Sequence, residues 1–244
     1  MENRKLKLNH GLLILHSVIV LTVHIVFRYK AWFEMVDEKS TGKNRPFFTY
    51  IILIICSGFM FASIAVNGWK LEHFSVNPMI GPSAETLTIM GAKDSYMIVN
   101  EHEVWRLLSA MVLHAGFIHF ILNMAALYFV GSAIELCHGF VSCMIMFVIP
   151  AIGGSIFSAI FLPSMISVGA SGGIFGLIGA CLADIFMNWG LLFNQFVNGK
   201  NKHRHIYILL ALLVDVVINC LIGLTPFVDN FTRKSDIASC DHHS

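Results

Sequence analysis

From Phe47 onward, long uncharged apolar runs alternate with short polar ones. The runs at 47–66, 117–134, 140–162, 171–193 and 206–224 each come close to the roughly 20 residues an α-helix needs to cross a hydrocarbon core. They are too long for buried strands and predict five membrane-spanning helices. Another apolar stretch, 11–27 (GLLILHSVIVLTVHIVF), is shorter and holds His16 and His24. Arg4, Lys5 and Lys7 precede it, and a span there would leave them outside, against the positive-inside tendency. The segment FRYKAWF that follows offers no small-residue cleavage site. A spanning helix, an interfacial anchor and an uncleaved targeting segment all stay open for 11–27.

The polar runs set the orientation. Residues 28–46 carry Arg28, Lys30, Lys39, Lys43 and Arg45, and residues 198–205 carry Lys200, Lys202 and Arg204, so both are expected to be cytosolic. Loop 67–116 and turn 163–170 then face the lumenal or exterior side, with Ser171 at the exterior end of its helix. The loop, about 50 residues long, exceeds a simple connector. Its Trp69, Phe74, Tyr96 and Trp105 suit a membrane interface, and a loop lying partly in the membrane would explain them. The expected organisation is an N-terminal region 1–46, a helical membrane domain 47–231 and a polar tail 232–244.

Composition agrees with a bilayer as solvent. Of the 244 residues 56% are hydrophobic and 13% charged, with a mean hydropathy of +0.72, where a soluble domain carries about 25% charged residues. The net charge of +1, with no basic block interleaved with aromatics, gives no sign of a nucleic-acid partner. The six cysteines stand singly, without the spacing of a zinc site or a disulfide framework. They read as packing residues, although Cys137 and Cys143 flank a short turn and give a weak lipidation signal.

Polar side chains inside apolar runs are costly and need a reason. His119 and Asn123, four apart, share one helix face: either a polar pair joining helices or two donors aimed at an oxyanion. Zinc on His114 and His119 is disfavoured, since HExxH is absent and no third ligand is evident. Ser171 lies between Gly169, Gly172 and Gly173 at the head of an apolar run, where a helix start would offer free N–H groups to an anion. Gly172, Gly176 and Ala180 recur every four residues as a small-residue face suited to close helix packing. Asp215 and Asn219 form another pair, structural or proton-handling, while Asp184 and Glu135 read as interfacial or loop-anchoring groups.

Together these elements resemble the rhomboid family of intramembrane serine proteases. The likeness rests on Trp105–Arg106 in the long loop, HAGFIHFILN (114–123), GASG (169–172) and PFVDNF (226–231), and spans about residues 47–231. It implies an all-α polytopic helical bundle with Ser171 as nucleophile. His119, Asn123 and the Ser171 N–H would stabilise the oxyanion, Trp105 and Arg106 would organise the loop, and the Gly172/Gly176/Ala180 face would receive a sixth helix. Catalysis would use a Ser–His dyad without aspartate, metal or other cofactor, on single-pass membrane proteins whose helix unwinds near the membrane surface. A secretory-pathway or plasma membrane would be the setting.

One position departs from the family. Its general base is a histidine two residues after the phenylalanine of DNF; here the text reads VDNFTRKSDIASCDHHS, and Arg233 stands at that register. A guanidinium cannot accept the serine's proton. Residues 232–244 are too polar for a membrane helix, so the sequence is expected to lack the sixth core helix, as a truncation by alternative transcript or misjoined gene model would produce. His242 and His243 are poor substitutes for the base, since a free tail would have to enter a recessed site. The expected function is therefore a rhomboid-type endopeptidase by family, inactive or impaired as written. The alternative is a non-catalytic relative that binds transmembrane clients; a transporter is disfavoured because inverted repeats are not evident.

Overall fold

A computed structural model describes residues 45–187. The expectations for 11–27, 206–224, Asp215, Asn219, Arg233, His242, His243 and the tail lie outside the described residues. Helices α1 (Phe47–Val66), α5 (Phe117–His138) and α6 (Phe140–Phe161) are long and apolar enough to cross a membrane by length and composition. A shorter apolar helix, α7 (Ser171–Met187), begins at the serine itself. Between α1 and α5 lie three short helices, α2 (Ala84–Ile89), α3 (Ser95–Asn100) and α4 (Arg106–Ser109), the last running into a 3-10 turn at Ala110–Val112. Among the described residues the only strand-like pairing is an isolated antiparallel bridge, Lys93 to Ser167. The protein is an integral membrane protein with an all-helical bundle fold.

The buried face of each helix recurs at helical spacing. Phe48, Ile52 and Cys56 of α1 meet Met124, Leu127, Val130 and Ile134 of α5, Cys143 and Phe147 of α6, and Ile174, Leu177, Ile178 and Cys181 of α7. The opposite faces, with Ile54 and Phe61 on α1 and Ile149 and Phe157 on α6, are apolar and exposed, as suits lipid.

Helix α5 outruns the expected span 117–134, continuing through a π-helical turn at Leu127–Gly131 to His138. Its extension is stable because buried Glu135 finds donors at the start of α1. The N–H groups of Phe48 and Thr49 donate to its carboxylate at 2.7 and 2.9 Å, and the Thr49 hydroxyl donates at 2.9 Å. These are N–H groups of a helix's first turn, where a carboxylate is favoured. Gly139, at φ +84°, turns the chain directly into α6. Nearby, His138 Nε2 and Asp184 Oδ2, 2.7 Å apart, tie the same ends of α5 and α7 together.

Among the described residues the glycine face of α7 has a neighbour: Gly172 and Gly176 lie against α6. A Cβ on Gly172 would stand 3.2 Å from the Ala151 Cα, and one on Gly176 would overlap the Met146 carbonyl and the Pro150 ring. Small residues let two backbones approach, and the short turn after α6 makes it the antiparallel neighbour.

Loop 67–116 is built on polar anchors. Asn67 Oδ1 accepts from the Ser83 and Thr86 hydroxyls at 3.0 and 2.7 Å, and Ser83 caps α2. Asn77 Nδ2 donates to the Pro82 and Ala115 carbonyls at 3.0 and 2.8 Å. The N–H groups of Phe117 and Ile118, at the start of α5, donate to the Ile80 and Met79 carbonyls at 2.9 and 3.2 Å. There Gly81 and Gly116 pass so closely that a Cβ on either would strike the other segment's backbone.

Candidate active site

The serine and its approach come from the turn between α6 and α7. Ser171 opens α7 and is half-buried, and Ala170 before it is fully buried. The Ile174 N–H donates to the Ala170 carbonyl at 3.0 Å. The N–H groups of Ser171, Gly172 and Gly173 thus precede the helical ladder, as the first donors of any helix do.

His119 faces this helix start from the first turns of α5. A Cβ placed on Gly169 would lie 2.7 Å from His119 Cε1, 3.0 Å from His119 Nε2 and 3.7 Å from Ser171 Oγ. Imidazole and hydroxyl therefore flank one glycine, itself at φ +131°. On the ring's other edge the Ala115 N–H approaches Nδ1 at 3.5 Å, a long contact that favours the neutral tautomer with its proton on Nε2, toward Gly169. Asn123 is buried on the same face, and its Nδ2 donates to the His119 carbonyl at 2.9 Å. A carboxamide has a second N–H beyond that one. The structure thus gathers Ser171, His119 and Gly169, with Asn123 one turn along from His119.

His114 stacks edge-on against His119, ring centroids 5.4 Å apart, and against Phe120 at 5.3 Å. It is fully buried, and neither ring nitrogen reaches hydrogen-bond geometry. Burial, helped by the neighbouring His119, pushes it down to about 3, against a weaker pull from the Val112 backbone. Such a ring is neutral, a packing element beside the site. Among the described residues no cluster of three His, Cys, Asp or Glu stands ready for a metal.

Trp105 and Arg106 stand at the start of α4, inside loop 67–116. Buried Arg106 pairs through Nε with Glu103 at 2.5 Å and donates from Nη1 to the Thr88 and Ala92 carbonyls at 2.6 and 3.1 Å. Its guanidinium lies 4.8 Å from the Trp105 ring centre, and that ring fills the space beside Gly91. What sequence reasoning missed is Lys93. Fully buried, it donates from Nζ to the Leu162 and Met165 carbonyls at 3.0 and 2.6 Å, in the turn that leads to Ser171. Between Ala92 and Asp94 nothing in the text distinguishes it from a solvated loop lysine.

A polytopic helical membrane protein that sets a serine at a helix start against a half-buried histidine is a narrow class, and comparison with known proteins fixes the family. The rhomboid domain model matches residues 101–233, more than half of the chain, and this chain belongs to the rhomboid family. It is similar to RHOMBOID-like protein 1 of Arabidopsis thaliana, 42% identical over 70% of this chain and 41% of that protein. The Inactive RHOMBOID-like protein 8 of the same plant is 35% identical over 68% of this chain and 44% of that protein. Rhomboid protease GluP of Bacillus subtilis (strain 168) is 37% identical over 57% of this chain and 25% of that protein. The chain spans less than half the length of these curated relatives. They include both a protein named as a protease and one named as inactive.

Proposed function

We propose that this chain carries the nucleophile and the oxyanion side of an intramembrane serine endopeptidase site, acting on the transmembrane segments of single-pass membrane proteins. The observation that supports it most is the meeting of Ser171 Oγ and the Nε2 edge of His119 at Gly169. In this reading Ser171 Oγ attacks the scissile carbonyl. The Ser171 N–H, the His119 Nε2–H and the second N–H of Asn123 hold the negative charge that develops on its oxygen. With its proton on Nε2, His119 is a donor there and does not act as the base. The exposed Tyr96 and Trp105 of loop 67–116 suit a membrane interface.

Attack requires that the serine's proton leave, and Arg233 at the base's register cannot take it. An unassisted serine is a weak nucleophile. This favours a second reading for residues 1–244: binding of transmembrane clients without cleavage. The two are separated by labelling the membrane-embedded chain with a fluorophosphonate probe, beside Ser171→Ala and Arg233→His. Labelling lost in Ser171→Ala supports an activated serine. If the chain labels no more than Ser171→Ala while Arg233→His gains signal, the serine side is intact and the missing base explains the silence. No labelling in any form removes support for cleavage by residues 1–244 and leaves client binding, measurable by crosslinking to a single-pass helix, as the reading that stands.

A further inference from the structure

Lys93 joins the loop to the turn that carries Ser171, and its side-chain and main-chain hydrogen bonds all reach that turn. Its Nζ donates to the carbonyls of Leu162 and Met165. These acceptors lie just beyond the end of α6, where the helix terminus favours a cation, and the Leu162 carbonyl also accepts from the Met165 N–H at 3.2 Å. Its main chain pairs with Ser167 in both directions, at 3.0 and 3.2 Å. Two residues later the Gly169 N–H donates to the Ala110 carbonyl at 2.8 Å. The Ser95 hydroxyl adds a bond to the Ala159 carbonyl at 3.2 Å. Under these ties Leu87, Ala92 and Leu113 form a small core packed against Ile166 and Val168. On the other side Arg106 holds the Ala92 carbonyl, so a run of bonds leads from Arg106 through Lys93 to the residues just before the serine.

An ammonium is costly to bury, and a methionine would fill similar space without that cost. Burial pushes Lys93 down to about 8, with Asp94 opposing the shift. Both acceptors of its Nζ are main-chain carbonyls, so it returns order in the turn rather than the pairing of a buried charge.

We propose that Lys93 is a positioning residue, which through the Leu162 and Met165 carbonyls fixes the 162–170 turn against the loop and sets the register at which Ser171 meets His119. The inference rests on Ser171 being the serine of the site, as read above. Its test is backbone hydrogen exchange of the full chain in lipid nanodiscs, comparing wild type, Lys93→Met and Asn67→Ala. Asn67→Ala removes a polar anchor of the same loop that makes no bond to the turn, and so serves as a control for general loosening.

Lys93→Met is expected to speed exchange at the Ser167 and Gly169 amides about tenfold, as loss of charge-assisted bonds should. Amides within α1 and α5 should stay within about twofold of wild type. Asn67→Ala should leave the 162–170 turn protected. Unchanged exchange in the turn, or a uniform rise across all helices in Lys93→Met, overturns the proposal. The same holds if Asn67→Ala releases the turn equally. The nucleophile assignment is judged separately by fluorophosphonate labelling, and its failure leaves the exchange pattern to decide the role of Lys93.

Discussion

Gly169 is constrained twice over. Its φ of +131° suits only glycine, and a Cβ there would press on the His119 ring. Gly169→Ala should cost about 1–3 kcal/mol in backbone strain alone. It should also displace the imidazole, so thermal unfolding in detergent should show a large drop. Gly68→Ala, at φ +67° but facing open space, should show a smaller one. His114 gives a prediction in pH. An unfolded chain protonates this histidine near 6.5, whereas the folded chain resists until about 3. The stability that depends on its neutrality is therefore complete above about 6.5 and is lost as pH falls toward 3. By pH 5 the loss reaches about 2 kcal/mol. The midpoint of unfolding should fall on acidification, and His114→Leu should flatten that slope. An unchanged slope in the variant would assign the acid sensitivity to another group.

At the scale of elements, Glu135 does what a cap does although it belongs to another helix. Read from the sequence, Glu135 is an anchoring group near the end of a span, and its partners at Phe48 and Thr49 lie more than eighty positions away along the chain. Glu135→Ala leaves buried N–H groups without acceptors, at a cost of about 1–3 kcal/mol. Exchange should rise first at the amides of Phe48 and Thr49, and protection there equal to wild type would show that water or another group replaces the carboxylate. The pairing of α6 with α7 teaches a related lesson. The repeat of Gly172 and Gly176 announces that some backbone comes close, but spacing does not say which one. Chain connectivity decides for α6, since a short turn returns α7 alongside it.

For the whole molecule, the basic runs before α1 and after α7 predict that the α6–α7 turn, and with it Ser171, lies on the exterior or lumenal side. Exposed Cys137, near the end of α5, then faces the cytosol. In a Cys240→Ser background, a membrane-impermeant maleimide should label Ser164→Cys in intact cells or right-side-out vesicles. Cys137 should label only after permeabilisation. The reverse pattern would invert the orientation and move the site to the cytosolic side.

The sequence by itself determined the bilayer as solvent, the long apolar helices among the described residues and which polar side chains stand inside or beside them. Apolar length against bilayer thickness is a one-dimensional match, and the helical spacing of His119 and Asn123 places them on one face without further information. Ser171 among glycines at a helix start was legible for the same reason. Only the tertiary structure decided what meets what. It brought His119 to Gly169 and Ser171, turned its Nε2 edge toward them, and buried His114 behind it as a neutral ring. It also took Lys93, which in the text is one more charged loop residue, and closed it onto the carbonyls of Leu162 and Met165. Burial and hydrogen-bond partnership between segments far apart in the chain depend on how helices and loop pack in three dimensions, and no local pattern of residue types encodes that packing.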